Sequence, residues 1–396
     1  MHAILDIPPK EVSDNLELLR KDLDLKIPEK KLDRNLLIAS WNIRAFGDLT
    51  RKWESEEKDN PKRDLHSVCC IAEIIRRFDV IAVQEVKANI RALRDTLKLL
   101  GEHWSLILTD VNKGDSGNGE RMAYLFDTRR VKLSGLAGEL VVPNEWTKVV
   151  SEKALDEQFV RTPYAVSFKS NHQTFILITL HILYGKKSSD RIKELKGIAQ
   201  WLSDWATDIN AYHQNLIVLG DFNIDQRGDL LDQTFLSEGL YVPPELQNPK
   251  VTRSIFNESK YYDQIAWFNG EGKRPKLSME FINGGNYDFI GKALQNRNLS
   301  KRSLSYLLSD HYPYGPNSSC KRSNLLRSQQ MSYIFSTNKT YKKRHTNLFK
   351  PACETCRRQY PEKAGFCELL PRFSGTDFSE NEIKKVLSAG YQNIKE

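Results

Sequence analysis

Long apolar runs are missing from this 396-residue chain. No stretch approaches the roughly 20 apolar residues of a membrane span, so no transmembrane segment is expected. The opening segment, MHAILDIPPKEVSDNLELLRKD, mixes both charges and carries Pro8 and Pro9. It has neither the apolar stretch nor the small-residue cleavage site of a secretory leader, which makes cytoplasmic residence the expectation. Cysteine is scarce, with six in all. Cys69 and Cys70 are adjacent in a helical pattern, where cysteine acts as a small hydrophobe. Cys320, Cys353, Cys356 and Cys367 fall in the C-terminal part. That is not a disulfide framework, and it fits a reducing compartment. Cys353-x-x-Cys356 with Cys367 gives only three thiols, short of the usual four zinc ligands unless Cys320 or His345 joins them. Zinc is set aside.

Net charge is also missing from most of the chain. The total is +8, but from Asn317 onward there are 15 Lys and Arg against 7 Asp and Glu. Residues 1–316 therefore hold 44 basic and 44 acidic residues. The basicity belongs to the tail, so the isoelectric point does not argue for a nucleic-acid-binding body.

What is present is a large apolar body. LLIASWNI (36–43), FDVIAVQEV (78–86), RMAYLFD (121–127), TPYAVSF (162–168), TFILITLHI (174–182), NLIVLG (215–220), YDQIAWF (262–268) and SYLLSDH (305–311) read as strands: short, apolar, often β-branched or aromatic. Residues 64–78, 88–101 and 191–209 show helical spacing, with Gly101 placed to stop the second. Trp201 and Trp205, four apart on the last helix, read as core packing. The pattern gives a polar N-terminal extension (1–35) with room for one short helix, an α/β body (36–313) and a basic C-terminal extension (314–396). That extension reads first as solvated, partly disordered chain with a small helix after Ser379. Contact with nucleic acid through its Lys, Arg and aromatic residues is the second reading. Periodicity alone leaves open a doubly wound parallel sheet or a two-sheet sandwich.

Polar groups recur at the ends of the strand runs. Asn42 follows Trp41, Glu85 follows VIAVQ, His181 ends ILITL, Asp221 and Asn223 follow LIVLG, Asp263 precedes QIAWF, and Asp310 and His311 follow SYLLS. Singly, each is more often a turn residue or cap. Together they form an inventory of carboxylates, amides and imidazoles. Hard divalent cations prefer such oxygens, and Mg²⁺ shares its remaining positions with water and phosphate. Phosphodiester hydrolysis needs an activated water, charge neutralisation and a proton for the leaving oxygen, and this set supplies all three.

At WNIRAFGD, VIAVQEVK, GERMAYLFD, RTPYAVSF, TLHI, GDFNID, YDQIAWF and SDHYP, in that order, the chain resembles the endonuclease/exonuclease/phosphatase superfamily, most closely its deoxyribonuclease I-like members. The resemblance covers about residues 36–313. It implies a four-layered α/β/β/α sandwich of two mostly antiparallel sheets. It implies a divalent-metal-dependent phosphodiester hydrolase, foremost a nuclease acting on DNA or RNA, using one or two Mg²⁺ or Mn²⁺ ions. The alternatives are a phosphoinositide phosphatase or sphingomyelinase-like phospholipase with the same site, and a non-catalytic scaffold. Residue by residue, it implies Asn42, Glu85 and Asp310 at the metal, and His311 with Asp263 activating water. His181 with Glu120 serves the phosphate or leaving oxygen, and Asp221 and Asn223 serve a second metal or the water. Arg161, Arg44 and Lys87 fall at phosphate contacts. The family's general base is either an Asp of the GDFN motif or the His–Asp pair, and both stay open here.

Three departures stand out. Asn118 takes the approximate place of a groove-stacking tyrosine. The nuclease's disulfide has no counterpart. SDHYP continues into YGPNSSCKRS, where Gly315 and Pro316 are expected to break the strand that finishes the sheet, leaving either MSYIFS (331–336) as a substitute or a C-terminus unlike its relatives with marginal body stability.

Overall fold

The apolar runs become the strands of two six-stranded sheets in a computed structural model. It describes residues 1–319 except 33, 113–118, 142–158, 160, 183, 186, 209–214, 249–258 and 273. Asn118, MSYIFS, the four C-terminal cysteines, His345 and the basic tail from residue 320 lie outside the described residues.

In chain order the elements are α1 (Lys10–Lys26), β1 (Asn35–Phe46), α2 (Leu65–Ile75), β2 (Val80–Lys87), α3 (Arg91–Leu100), β3 (Trp104–Leu108), β4 (Glu120–Asp127), β5 (Lys132–Glu139), β6 (Tyr164–Ser170) and β7 (Gln173–His181). There follow α4 (Ser188–Thr207), β8 (Leu216–Ile224), α5 (Leu230–Leu236), β9 (Leu240–Tyr241), β10 (Tyr261–Phe268), β11 (Glu280–Asn286), α6 (Lys301–Leu307) and β12 (Tyr314–Ser319). The first sheet runs β11-β12-β1-β2-β4-β3 and the second β5-β6-β7-β8-β10-β9.

Each sheet is antiparallel except for one central parallel pair, β1 with β2 and β7 with β8. A parallel pair needs a crossover, and α2 and α4 supply them. The inner faces interlock through Leu36, Ile38, Val80, Ala82 and Tyr124 of the first sheet and Tyr164, Phe168, Phe175 and Ile265 of the second. Outside the first sheet lie α1, α2, α3 and α6; outside the second lie α4 and α5. The result is the α/β/β/α sandwich of two mostly antiparallel sheets. Both faces of the central strands are covered, which is why those strands are apolar throughout rather than alternating. Helix α2 is buried along its whole length and is capped by Asp64, whose carboxylate accepts from Ser67 N at 2.9 Å. Trp201 and Trp205 meet edge to face at 4.8 Å and pack on the core.

Three expectations change. The segment SYLLSDH is not a strand: α6 covers Lys301–Leu307, and Ser300 caps it through Ser303 N at 3.1 Å. Buried Leu304 and Leu307 lie three apart, a spacing that serves a short amphipathic helix as well as a strand. The N-terminal segment forms a 17-residue helix, and Val12, Leu16, Leu19 and Leu23 join the core beneath the first sheet. Most notably, YGPNSS itself is the strand that completes the sheet. As β12 it lies between β11 and β1. A Cβ on Gly315 would sit 1.9 Å from Ile38 O, so the close approach to β1 requires glycine. Pairing with β1 is formed at Leu37–Asn317 and Ser40–Tyr314, on either side of Gly315 and Pro316. The β1 ladder is interrupted at Gly315 and Pro316, while Pro316 stays paired with Gly284 of β11.

Candidate active site

The carboxyl ends of both parallel pairs meet at one rim of the sandwich. In register, Asp221 on β8 has His181 beside it on β7 and Asp263 beside it on β10. Side chains two apart on a strand share a face. Asp221 and Asn223 therefore face the rim, while Phe222 is fully buried and packs on Phe235 at 4.5 Å. Gly220 brings β8 against β7 just before the site: a Cβ there would lie 2.0 Å from Leu180 O.

On the first sheet, the β1 and β2 ladders shift register between Asn42 and Phe46 and between Val83 and Val86. Bulges of this kind re-aim side chains at functional rims. Glu85 and Asn223 both adopt left-handed backbone, with φ 60° and 51°. Asparagine tolerates this conformation. For Glu85 it costs on the order of 1 kcal/mol, strain of the sort concentrated at sites.

Asn42 joins the sheets. Its Nδ2 donates to Glu85 Oε1 at 3.2 Å and to Asp221 Oδ2 at 2.9 Å. Behind it, Gln84 Nε2 donates to Thr179 Oγ1 at 2.7 Å, a second polar link across the interior. Two carboxylates fix the amide orientation, and Asn42 Oδ1 is buried with no hydrogen bond among the described residues. An unpaired buried carbonyl costs about 1–3 kcal/mol, so a partner is called for. Glu85, whose Oε2 accepts from Ala45 N at 2.8 Å, lies alongside. An amide oxygen beside a carboxylate fits a hard divalent cation. Among the described residues no three His, Cys, Asp or Glu side chains form a ready-made cage. Mg²⁺ takes one or two carboxylates and leaves its other positions to water and phosphate.

Asp221 Oδ2 also has two imidazoles near it, His181 Nε2 and His311 Nε2, each at 3.7 Å. His311 Nδ1 lies 2.7 Å from Asp263 Oδ2. Burial alone would disfavour the His311 cation, but Asp263 foremost, then Asp221 and Asp310, raise its pKa to about 10. Burial likewise opposes the Asp221 anion, yet His311, His181, Asn42 and the Asn223 N–H hold its carboxyl below the usual range. Cation and anion thus face each other across the rim.

Glu120, at the start of β4, gathers a second cluster. Its carboxylate meets Lys87 Nζ at 2.9 Å, Arg161 Nε at 2.7 Å and His181 Nδ1 at 3.3 Å. Burial pushes this carboxyl up, but His181, Arg161 and Lys87 together bring it down to about 2. Asp310 pairs with Arg44 Nη1 at 3.4 Å. The Arg44 guanidinium also stacks on Tyr306, 4.2 Å from the ring centre. The twelve residues singled out by sequence thus surround one rim, in two linked clusters with the Arg44–Asp310 pair beside them.

Sequence reasoning missed the residues that hold this rim in place. Ser309 Oγ donates to Asn42 O at 2.5 Å and accepts from His311 N at 3.0 Å and Arg44 N at 3.3 Å. Buried Arg63 donates to Arg44 O, Ala45 O, Leu307 O and Leu308 O at 2.7 to 3.1 Å. Burial lowers its pKa to about 10, still far above neutrality. Arg191 Nη1 donates to Asn223 O at 2.5 Å and Nη2 to Asp225 Oδ2 at 2.7 Å. None stands at a strand end. Only their polarity amid buried neighbours marked them, and burial is not visible in the chain.

Comparison with known proteins places these motifs. The model of the endonuclease/exonuclease/phosphatase family matches residues 39–270. A protein of Thioalkalivibrio sp. (strain K90mix) named "Deoxyribonuclease" is 31% identical over 201 residues, covering 49% of this chain. The chain spans about half of that relative, 48% of its length. Among solved structures, an endonuclease/exonuclease/phosphatase family protein from Bacteroides thetaiotaomicron is 18% identical, with TM-score 0.47 over 72% of this chain and 98% of that one. The catalytic domain of human nocturnin, with bound sulfate, is 15% identical, with TM-score 0.47 over 73% and 96%. With its family model matched over residues 39–270, more than half its length, this chain belongs to the endonuclease/exonuclease/phosphatase family.

Proposed function

We propose that the chain is a divalent-metal-dependent phosphodiester hydrolase that acts on nucleic acid. The observation that carries this reading is the unpartnered Asn42 Oδ1, set beside Glu85 and joined through the same amide to Asp221, which two imidazoles approach. Asn42 and Glu85, with Asp310 nearby in sequence to His311, would hold Mg²⁺ or Mn²⁺. When bound, the ion neutralises charge on phosphoryl oxygens.

The chain's own groups account for the rest. Asp263 orients the His311 ring through Nδ1, leaving Nε2 toward Asp221. Within this set the Asp221 anion takes up the proton of the attacking water, and the His311 cation, fixed by Asp263, orients Asp221 and offsets charge on the phosphoryl oxygens. His181, steadied by Glu120 at Nδ1, presents Nε2 to the phosphate and protonates the leaving oxygen. Asn223 Nδ2 is bound to Ile182 O, so Asn223 serves chiefly to shape the loop around Asp221, whose Oδ1 accepts from Asn223 N. Arg161, Lys87 and Arg44 bring positive charge to the rim for flanking phosphates.

Nucleic acid is preferred over lipid by the kinship with a relative named for deoxyribonuclease. The test is a substrate panel with Mg²⁺ or Mn²⁺: single- and double-stranded DNA, RNA, a phosphoinositide and sphingomyelin. Metal-dependent cleavage of a nucleic acid is expected. Cleavage of lipid with none of nucleic acid overturns the substrate reading.

A further inference from the structure

Tyr184 lies three residues past His181 and is 56% exposed. Its ring meets Tyr262 edge to face, with centroids 6.2 Å apart at 83°. Tyr262 immediately precedes Asp263, and its ring lies 6.0 Å from the His311 imidazole at 33°. Three rings therefore run outward in a row from the reacting centre: His311, Tyr262, Tyr184. The row has a charged support. The Arg191 guanidinium lies 5.1 Å from the Tyr184 ring centre and is itself 5% exposed. It is fixed by Asn223 O and Asp225, and Asp225 Oδ1 accepts from Lys260 Nζ at 2.7 Å. Arg191 and Lys260 share the Asp225 carboxylate, and the Asp190 carboxylate lies against Gly185 close by.

We propose that Tyr184 and Tyr262 form a base-stacking ledge for a nucleotide flanking the scissile phosphate of a single-stranded polynucleotide. The proposal rests on the phosphodiesterase reading of the adjoining site and names its substrate more narrowly. An exposed aromatic ring braced by a fixed guanidinium matches the planar face of a base. A duplex hides its base faces inside the stack, whereas a single strand offers them. Arg191 links the ledge to the Asn223 backbone, so a base on Tyr184 and a phosphate beside Asp221 are held by one rigid support.

The test uses the full chain with Mg²⁺ and an oligonucleotide carrying one cleavable linkage, in DNA and RNA forms. The same oligonucleotides are made with an abasic site on either side of that linkage. Tyr184→Ala is expected to raise KM on the complete strand by about 5- to 150-fold, the range for losing one stacked base, with kcat little changed. Tyr184→Phe and Tyr184→Trp keep KM near wild type. On one of the two abasic substrates, wild type shows the same rise and Tyr184→Ala adds nothing further. Unchanged KM in Tyr184→Ala, or an equal loss on both abasic substrates, overturns the ledge while leaving the hydrolase reading intact. A wild-type chain that cleaves lipid but none of the oligonucleotides overturns both.

Discussion

Replacing Glu120 by Gln keeps the shape of the side chain and removes its charge. In the structure that charge faces Lys87, Arg161 and His181. Its carboxyl is drawn from 4.5 to about 2. A depression of that size corresponds to about 3 kcal/mol of stability at pH 7. A separate route gives a similar figure, since breaking a buried ion pair by removing one partner costs about 3–5 kcal/mol. The sign follows from linkage. The folded carboxyl binds its proton less readily than the unfolded one, so its contribution is complete above the unfolded value near 4.5 and fades as pH falls toward 2. About 1.5 kcal/mol should remain at pH 3. Urea denaturation of wild type and Glu120→Gln at pH 7, 5, 4 and 3, followed by tryptophan fluorescence, reads the gap directly. A gap below about 1 kcal/mol at pH 7, or one that does not narrow between pH 5 and 3, refutes the assigned electrostatics.

Gly315→Ala should lower Tm by about 6 °C or more, because the added methyl meets Ile38 O at 1.9 Å and β12 must move off β1. A Tm within about 1 °C of wild type would show that the sheet closes some other way. His311→Ala should lose about 10²- to 10³-fold in kcat, the usual share of one group that stabilises developing charge. Steady-state turnover equal to wild type would remove His311 from the mechanism.

Much of the site was legible because a strand end places a residue without further information. Asn42, Glu85, His181 and Asp221 each terminate an apolar run, and two parallel pairs carry those ends to one rim. The row His181–Asp221–Asp263 then follows from register alone. What was not legible depends on tertiary contact. YGPNSS carries few strand formers and a proline, yet it becomes β12 because β11 and β1 flank it and Gly315 lets the backbones close. SYLLSDH has the apolar content of a strand, and only the Ser300 cap and packing beneath the first sheet make its start helical. Ser309, Arg63 and Arg191 act through backbone carbonyls and amides that no side-chain motif encodes.

The central claim is that Asn42 and Glu85 form the metal end of a phosphodiester site. A Mg²⁺ titration of nucleic-acid hydrolysis, comparing wild type with Glu85→Gln, tests it most directly. Wild type should be silent in chelator and rise to saturation with the ion. Glu85→Gln should stay silent at every concentration while its Tm and circular dichroism match wild type. Wild-type rates in Glu85→Gln, or full wild-type activity in chelator, would contradict the account.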